Sequence, residues 1–357
     1  MKTLNKKQVD HLLNNYAEIW MMNDTEIQYL ASIKEEKHKN NYYIEKGVLK
    51  NGIIKPNVFR VPKNILDNIK ISTVDKVNKR FVKSVTNNEL KIVKEYVEEI
   101  LPQNINDHKI RPYLAGCKVR RNSSDLEVGG TLGAIIMLKS FKNSLFIISN
   151  YHILSTKQNL ILDEIIFQPS KIYGKFNSYE LDYSNAIAHL KFGRYGDTKR
   201  KDGTNGNTLD VAFAEVLNNN MSCAGFTSSK KTLELKKSIL KNIETPLDEM
   251  VVHINGKTSG KQKGTIKSTN AFVRVRHSYK RGKSIIFKNQ LLIKKGISKG
   301  GDSGSVVIND NNNVVGLIHA GDGKNVSIAN NINHIFNHIY KIKAAPDQKI
   351  VFKQFLT

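Results

Sequence analysis

The chain has 357 residues, of which 39% are hydrophobic and 25% charged, with 7 Pro and 23 Gly, a composition that excludes collagen-like and broadly disordered proteins. No stretch approaches the roughly eighteen consecutive apolar residues of a membrane-spanning helix, and residues 1–22 lack the apolar block of a signal peptide. The 56 Lys and Arg against 32 Asp and Glu give a formal charge of +24. The two cysteines, Cys117 and Cys223, are too few for a disulfide framework, so we expect reduced thiols in a cytoplasmic protein.

Two helices are predicted at the start of the chain. Residues 6–22 carry apolar side chains at three- and four-residue steps, which is the pattern of an amphipathic helix. Residues 27–38 show a similar spacing, with Ile27, Leu30 and Ile33 on one side and charged residues on the other. A second helix is therefore predicted over residues 27–38.

The rest of the N-terminal region mixes strand-like and helical patterns. Residues 42–82 are irregular and β-like, with Gly and Pro as interruptions, and residues 88–101 predict a helix that ends before a proline. The hydrophilic stretch 103–109 is the best candidate linker. We therefore expect a mostly helical α+β region at residues 1–105 and a second domain at residues 106–357.

After residue 111 the pattern changes to short apolar strands separated by Gly, Asn and Ser, as in an all-β barrel or sandwich. A Lys- and Gly-rich run is predicted to be a long exposed loop at residues 193–207, with a surface helix at 229–243 and a closing helix at 332–342. The clearest predicted strands cover residues 131–138, 144–149, 211–216, 271–275, 284–287, 305–308 and 314–318.

A serine on a glycine-rich turn is the strongest local signal. Residues 299–305 read Lys-Gly-Gly-Asp-Ser-Gly-Ser, and an apolar strand follows at once. Small residues on both sides expose the hydroxyl of Ser303, and glycines allow backbone N–H groups to point inward, as an oxyanion hole requires. An ordinary Gly-Asp-Ser-Gly turn of a β protein is the alternative.

Two further segments add a base and a carboxylate. One apolar strand ends at His152, and another begins at Asp210. A nucleophilic serine needs a base to take its proton and a buried carboxylate to orient that base. Each residue alone has a structural alternative, as a core histidine or a turn aspartate. Their occurrence in the order His152, Asp210, Ser303 favours a catalytic triad.

With this order of residues, the stretch from Arg111 to Ile342 resembles the chymotrypsin-like (trypsin-like) serine proteases. Three further motifs, at residues 130–133, 256–260 and 315–321, are similar to a bacterial and plant intracellular branch that includes the plant narrow-leaf proteins. The resemblance implies a mainly β fold, a double six-stranded antiparallel β-barrel, with barrel 1 at about 111–220 and barrel 2 at about 250–345.

The resemblance also implies a role for each residue of the site. Ser303 would be the nucleophile, His152 the general base and then acid, and Asp210 the orienting carboxylate. The backbone N–H groups of Gly301 and Ser303 would form the oxyanion hole, and Asp302 would support the oxyanion loop. Activation by a newly cut N-terminus, as in trypsin, is not expected, because the tempting Val-Gly-Gly stretch at residues 128–130 should already belong to the barrel.

The specificity pocket is predicted from four residues near the serine: Ile297, Lys299, His319 and Gly321. By the resemblance, Ile297 stands where trypsin has the aspartate that attracts basic side chains, so trypsin-like specificity is not expected. A cationic imidazole at His319, helped by Lys299, would favour an acidic residue before the cut. The alternative for His319 is a hydrogen-bonded structural histidine.

The function predicted from sequence is an intracellular serine endopeptidase that acts on protein or peptide substrates. The alternative is a catalytically silent or latent protease-fold module that binds partners through its basic surface. Residues 1–105 are expected to be a regulatory or recruiting region, either an inhibitory pro-segment, a sensor or a docking unit for a partner. Nucleic acid would bind only non-specifically, because Lys exceeds Arg 46 to 10 along the whole chain. No cofactor, metal or membrane span is expected.

Overall fold

The structure is a computed structural model that describes part of the chain. The described residues are 4–36, 41–50, 53–62, 65, 113–121, 129–138, 144–159, 162–168, 185–199, 205–217, 222–226, 240, 242–342 and 350–352. The predicted helix at 88–101, the linker at 103–109 and the domain boundary after residue 105 lie outside them, as does nearly all of the predicted surface helix at 229–243.

Strands dominate the described chain, and three helices accompany them. The helices are α1 (Lys6–Asn23), α2 (Tyr151–Leu154) and α3 (Ile332–Ile342). The strands are β1 (Ile27–Lys34), β2 (Tyr42–Lys50), β3 (Ile53–Val58), β4 (Tyr113–Ala115), β5 (Lys118–Arg121), β6 (Gly130–Thr131), β7 (Ala134–Leu138), β8 (Leu145–Ser149), β9 (Ile165–Phe167), β10 (Ala186–Lys199), β11 (Asn205–Val216), β12 (Ser222–Phe226), β13 (Val251–Gly256), β14 (Gly260–Arg276), β15 (Ser284–Lys294), β16 (Val306–Asn309), β17 (Val314–Gly321), β18 (Val326–Asn331) and β19 (Ile350–Phe352).

Two antiparallel sheets form two barrel-like halves, which confirms the predicted double-barrel architecture. The first sheet has eight strands in the order β19-β7-β8-β11-β10-β9-β5-β6, and the second has nine in the order β13-β16-β17-β18-β15-β14-β1-β2-β3. A short parallel pair, β12 and β4, stands beside them. The N-terminal strands β1, β2 and β3 extend the second sheet, and the C-terminal strand β19 extends the first.

The chain ends cross over to the opposite halves. Strand β1 pairs with β14 of the second sheet, with Tyr29 opposite Val273, and β2 and β3 continue from β1. Strand β19 pairs with β7 of the first sheet, with Val351 opposite Met137. The described N-terminal strands are therefore continuous with the second barrel.

Helix α1 confirms the first predicted helix and covers the added strands. An Asn5 capping box begins it: the Asn5 side chain accepts from the Gln8 N–H, and the Gln8 side chain accepts from the Asn5 N–H. Its apolar face packs on β1, β2 and β14 in one buried cluster, whose members include Val9, Leu12, Leu13, Met21, Leu30, Ile44 and Phe272. The closing helix predicted at 332–342 is confirmed as α3.

Two predictions of secondary structure are wrong. Residues 27–34 form strand β1 and not a helix. The strand is buried on both faces, so its apolar residues do not alternate with polar ones, and their spacing resembles that of a helix. Residues 193–207, predicted as an exposed loop, lie mostly in the long hairpin of β10 and β11, with Arg194 opposite Val211. Glycines and lysines on a half-exposed hairpin resemble a loop in sequence.

The largest apolar core joins the two halves. It combines Ile148 and Phe213 of the first sheet with Val306 and Leu317 of the second, together with Ile335 of α3. The strand ends that carry the predicted triad meet along this junction. Among the described helices, none is long and apolar enough to cross a membrane.

Candidate active site

His152 is presented by a one-turn helix at the end of a buried strand. All five residues of β8 are buried, and the chain turns at Asn150 into α2. The Asn150 carbonyl accepts from the N–H groups of Ile153 and Leu154, which fixes this turn. The His152 side chain is 20% exposed, so it lies at the surface of the junction between the halves.

Asp210 binds His152 through two hydrogen bonds. Its Oδ2 lies 2.5 Å from His152 Nδ1, and its Oδ1 accepts from the His152 backbone N–H at 3.1 Å. The Asp210 side chain is only 3% exposed. Because an ionised carboxylate only accepts hydrogen bonds, Nδ1 carries the proton in the neutral ring and Nε2 is left as the acceptor.

Two asparagines fix the backbone of Asp210. Asn150 Nδ2 donates to the Asp210 carbonyl at 2.8 Å, and Asn330 Nδ2 donates to the same carbonyl at 3.1 Å. Asn330 Oδ1 accepts from the Asp210 N–H at 3.0 Å. Since Asn330 lies on β18 of the second sheet, the carboxylate is positioned by both halves.

Ser303 follows a tight turn that only glycine can form easily. The Asp302 N–H donates to the Lys299 carbonyl, and Gly301, in the third position of this turn, has a φ of +98°. A side chain at Gly301 would also meet Thr258 Oγ1 at 2.5 Å. The strand β16 begins three residues after Ser303, as the sequence predicts.

Asp302 is held by backbone N–H groups of the 256–260 segment. Its buried Oδ1 accepts from the N–H groups of Thr258 (2.8 Å) and Ser259 (3.0 Å), and its Oδ2 accepts from the Lys299 N–H at 2.8 Å. In addition, Thr258 Oγ1 donates to the Gly300 carbonyl at 2.9 Å. These internal donors occupy the carboxylate, so it needs no cationic N-terminus as a partner.

Thr131 connects this turn to the first half. Its N–H donates to the Ser303 carbonyl at 2.8 Å, and its Oγ1 donates to the Gly301 carbonyl at 3.0 Å. The same Oγ1 accepts from the Lys257 N–H at 3.1 Å. One hydroxyl of β6 therefore joins the serine turn and the 256–260 segment.

Ile153, the neighbour of His152, and the backbone of Ser303 both approach Gly130. A Cβ atom on Gly130 would lie 2.6 Å from Ile153 Cγ1 and 2.7 Å from the Ser303 carbonyl oxygen. The residue after His152 and the backbone of Ser303 are therefore separated by little more than this glycine. The sequence-predicted His152, Asp210 and Ser303 thus converge on one junction.

Hydrogen-bond donors remain available beside Ser303. Within the described residues, the N–H groups of Gly301 and Ser303 donate no hydrogen bond. Ser303 Oγ donates to the His319 carbonyl at 3.4 Å, a long bond. Catalytic hydrogen bonds are often long or misaligned in the absence of substrate, so this geometry is compatible with a hydroxyl that later turns to His152.

The four predicted pocket residues do not share one environment. Ile297 is buried in the apolar core of the second barrel, whereas Lys299 and Gly321 are exposed. His319 is only 5% exposed, with Nε2 at 3.1 Å from Gln290 Oε1 and its ring 4.6 Å from that of Phe287. The Gln290 amide donates elsewhere, to the Thr208 and Lys288 carbonyls, so its oxygen accepts from the imidazole.

Burial lowers the pKa of His319 to about 4, so the imidazole is neutral at neutral pH. The prediction of a cationic His319 in a specificity pocket is therefore corrected. The His319 side chain is neutral and lies in the buried layer behind the site. Only the His319 carbonyl, which accepts from Ser303, faces the serine.

Sequence reasoning missed several positioning residues. Thr131 and Thr258 lie in motifs that were identified by resemblance without a role, and Asn330 lies in a buried strand that gave no signal at all. The polar residues Ser327, Asn330 and Asn331 in this fully buried strand are the signal that could have pointed to buried hydrogen bonds.

Comparison with known proteins yields fold likeness alone. No family model and no curated protein matches the sequence. Among solved structures, a protease described as glutamic acid specific, with a histidine triad in substrate binding, is 12% identical with a TM-score of 0.40, covering 63% of this chain and 96% of its own. Thermobifida fusca protease A is 12% identical with a TM-score of 0.41, covering 67% and 98%. Cellulomonas bogoriensis chymotrypsin is 11% identical with a TM-score of 0.42, covering 67% and 98%. These values carry no argument about activity or specificity.

Proposed function

We propose that this chain is an intracellular serine endopeptidase that hydrolyses peptide bonds through an acyl-enzyme intermediate. The observation that carries the proposal is the pair of hydrogen bonds between Asp210 and His152. The two-cysteine composition supports the intracellular part. Motifs at residues 256–260 and 315–321 support the bacterial and plant branch named above.

The first half-reaction forms an ester on the serine. Ser303 Oγ attacks the carbonyl carbon of the scissile peptide, and its proton passes to His152 Nε2. Asp210 keeps the other ring proton on Nδ1 and stabilises the imidazolium that forms. His152 then gives its new proton to the leaving amine as the C–N bond breaks.

The oxyanion is stabilised by the N–H groups of Gly301 and Ser303. Both lie on the turn that Thr131 and Thr258 hold by its carbonyl groups, so the donors are oriented before the substrate arrives. Preorganised donors of this kind contribute about 10²–10³ in kcat each. Asp302 keeps the turn in place through its three backbone donors.

The second half-reaction releases the acyl group. A water molecule takes the place of the amine and gives a proton to His152, and its oxygen attacks the ester carbonyl. The C–O bond to Ser303 breaks, the serine recovers its proton from His152, and the product leaves as a carboxylic acid. No metal or cofactor enters this sequence of steps.

Covalent labelling with a fluorophosphonate probe tests the proposal without knowledge of the substrate. We expect wild-type protein to be labelled at neutral pH, and Ser303→Ala and His152→Ala to lose labelling, because one removes the nucleophile and the other its base. Ser284→Ala, at an exposed serine on β15, is the matched control and should keep wild-type labelling.

The outcomes separate the two candidate functions. Labelling that survives in Ser303→Ala would place the reactive group elsewhere. A folded wild-type protein that takes up no probe would exclude an assembled nucleophile and leave the binding module as the better explanation.

A further inference from the structure

A cavity of about 410 Å³ opens at the tip of the β14–β15 hairpin, outside the triad. Arg276, His277, Ser278, Tyr279 and Arg281 line it. The chain has only 10 Arg among its 56 basic residues, yet two of them line this one cavity. Guanidinium groups differ from ammonium groups in offering a planar fork that matches carboxylate and phosphate oxygens.

The two guanidiniums are not used by the fold. Arg276 and Arg281 are exposed, and neither has an ion pair or a side-chain hydrogen bond among the described residues. Arg274, by contrast, donates to the carbonyls of Met21 on α1 and Ile27 on β1, and so connects these two elements to β14. A structural role therefore accounts for Arg274 and leaves the two cavity arginines unexplained.

The chain segment that forms the hairpin carries charge of one sign only. No Asp or Glu occurs in the sequence from residue 250 to residue 301, which carries 13 Lys and Arg. The hairpin tip adds Lys280 and Lys283, both exposed, to the two arginines. A concave site with four nearby cations focuses a positive potential on its opening.

The polar groups of the cavity are oriented by a rigid aromatic support. His277 Nδ1 accepts from the Tyr279 N–H at 3.1 Å, and burial lowers its pKa, so the neutral ring carries its proton on Nε2 as a donor. The Ser278 N–H donates to Tyr195 Oη at 3.0 Å, and the rings of Tyr195 and Tyr279 meet edge-on at 5.0 Å. The cavity is thus preformed.

Tyr279 joins this cavity to the helix that carries His152. Its Oη lies 3.2 Å from the carbonyl oxygens of both Tyr151, the first residue of α2, and Ser155, the residue that follows the helix. Its ring also meets that of Tyr151 edge-on at 6.1 Å. Tyr279 is therefore the residue between a ligand in the cavity and α2, the helix that carries His152.

We propose that this cavity is a subsite for an acidic side chain of the peptide substrate, near the scissile bond, with Arg276 and Arg281 as the residues that bind its carboxylate. That the ligand is a peptide substrate rests on the proposed function. That the cavity binds an anion does not. A peptide fits better than nucleic acid, because the two rings of the cavity are not free for a base to stack on: His277 is buried, and the half-buried Tyr279 ring packs edge-on against Tyr151 and Tyr195.

The test measures binding on Ser303→Ala, which cannot turn over a substrate. A fluorescein-labelled twelve-residue peptide with three Glu is compared with its Gln twin by fluorescence anisotropy, at about 0.15 M NaCl to screen distant charges. We expect the Glu peptide to bind at least tenfold more tightly. In the Ser303→Ala background, Arg276→Glu and Arg281→Glu should each remove most of this preference.

Arg60→Glu is the matched control, because it makes the same change of charge at an exposed arginine next to β3, at the far edge of the second sheet. It should keep the preference for Glu. Equal binding of the two peptides, or an equal loss in Arg60→Glu, would overturn the proposal in favour of general electrostatic attraction. So would a single-stranded oligonucleotide that binds in an Arg276-dependent way while the peptides do not differ.

A phosphoserine peptide and inorganic phosphate are then added as competitors of the labelled Glu peptide. Competition by phosphate alone, without discrimination between the Glu and Gln peptides, would reassign the cavity to free anions and overturn the peptide subsite. If Ser303→Ala discriminates as expected but wild-type protein resists the fluorophosphonate, the subsite stands and the proposed hydrolysis falls.

Discussion

At the scale of single residues, one hydroxyl group connects two segments of the candidate site. Thr131 Oγ1 donates to the Gly301 carbonyl and accepts from the Lys257 N–H, while the Thr131 carbonyl accepts from Ser149 Oγ at 2.7 Å. The residue lies on β6 of the first half, and the turn it holds belongs to the second. The orientation of the oxyanion donors therefore depends on contact between the halves.

Thr131→Val should slow fluorophosphonate labelling by about 10- to 100-fold, because valine has nearly the same volume but cannot hold the Gly301 carbonyl, and small misplacements of catalytic groups are costly. In substrate assays kcat should fall more than KM rises. Thr131→Ser keeps the hydroxyl and should recover most of the rate. Equal rates for the Val and Ser variants would show that the hydroxyl does not position the turn.

At the scale of elements, a buried ion pair fastens the N-terminal strands to the second barrel. Glu45 on β2 accepts from Lys267 Nζ at 2.5 and 2.7 Å and from Tyr29 Oη at 2.6 Å. The Glu45 and Lys267 side chains are only 7% and 17% exposed. Three strands, β1, β2 and β14, thus meet at one carboxylate.

Glu45→Ala should lower the free energy of unfolding by about 3–5 kcal/mol, because it leaves the Lys267 ammonium and the Tyr29 hydroxyl without their partner in a buried place. Urea denaturation measures the change. Lys294→Ala, which breaks an exposed pair with Glu249, is the control and should cost less than about 1 kcal/mol. Similar losses in both variants would contradict a special role for the buried pair.

Predictability from sequence also differs between elements. The pairing of His152 with Asp210 and the tight turn before Ser303 could be predicted, because their signals are local: small residues around Ser303, and a polar residue at the end of an apolar strand at His152. Strand β1 could not, because burial on both faces removes the alternation that marks a strand. The donors to Asp302 and the arginine cavity depend on contacts between distant segments, which local patterns do not encode.

At the scale of the whole molecule, the described N-terminal layer is part of the second barrel. Strand β1 covers an edge of β14, and α1 covers Phe272. Full burial of a large apolar side chain contributes about 1.5–3 kcal/mol, and α1 buries several. A region that supplies so much core is expected to be needed for folding, whatever partner it also recruits.

A chain that begins at Asn106 should therefore be insoluble or much less stable than the full chain, since it exposes Phe272 and the edge of β14. Soluble yield and thermal unfolding measure this, and labelling with the fluorophosphonate probe reports on the site in any soluble fraction. A soluble, well-folded fragment that is labelled faster than the full chain would instead identify residues 1–105 as an inhibitory segment.

Strands β1 and β14, which pair in the folded chain, are synthesised far apart in time. Tyr29 and its partner Val273 are about 240 residues apart in the sequence, and at a synthesis rate of about 5–20 residues per second roughly 12–50 s separate their appearance at the ribosome. During that interval β1, which the folded chain buries on both faces, has no second barrel to join. The nascent chain therefore depends on shielding by a chaperone, or on a temporary hairpin with β2, until its second half emerges.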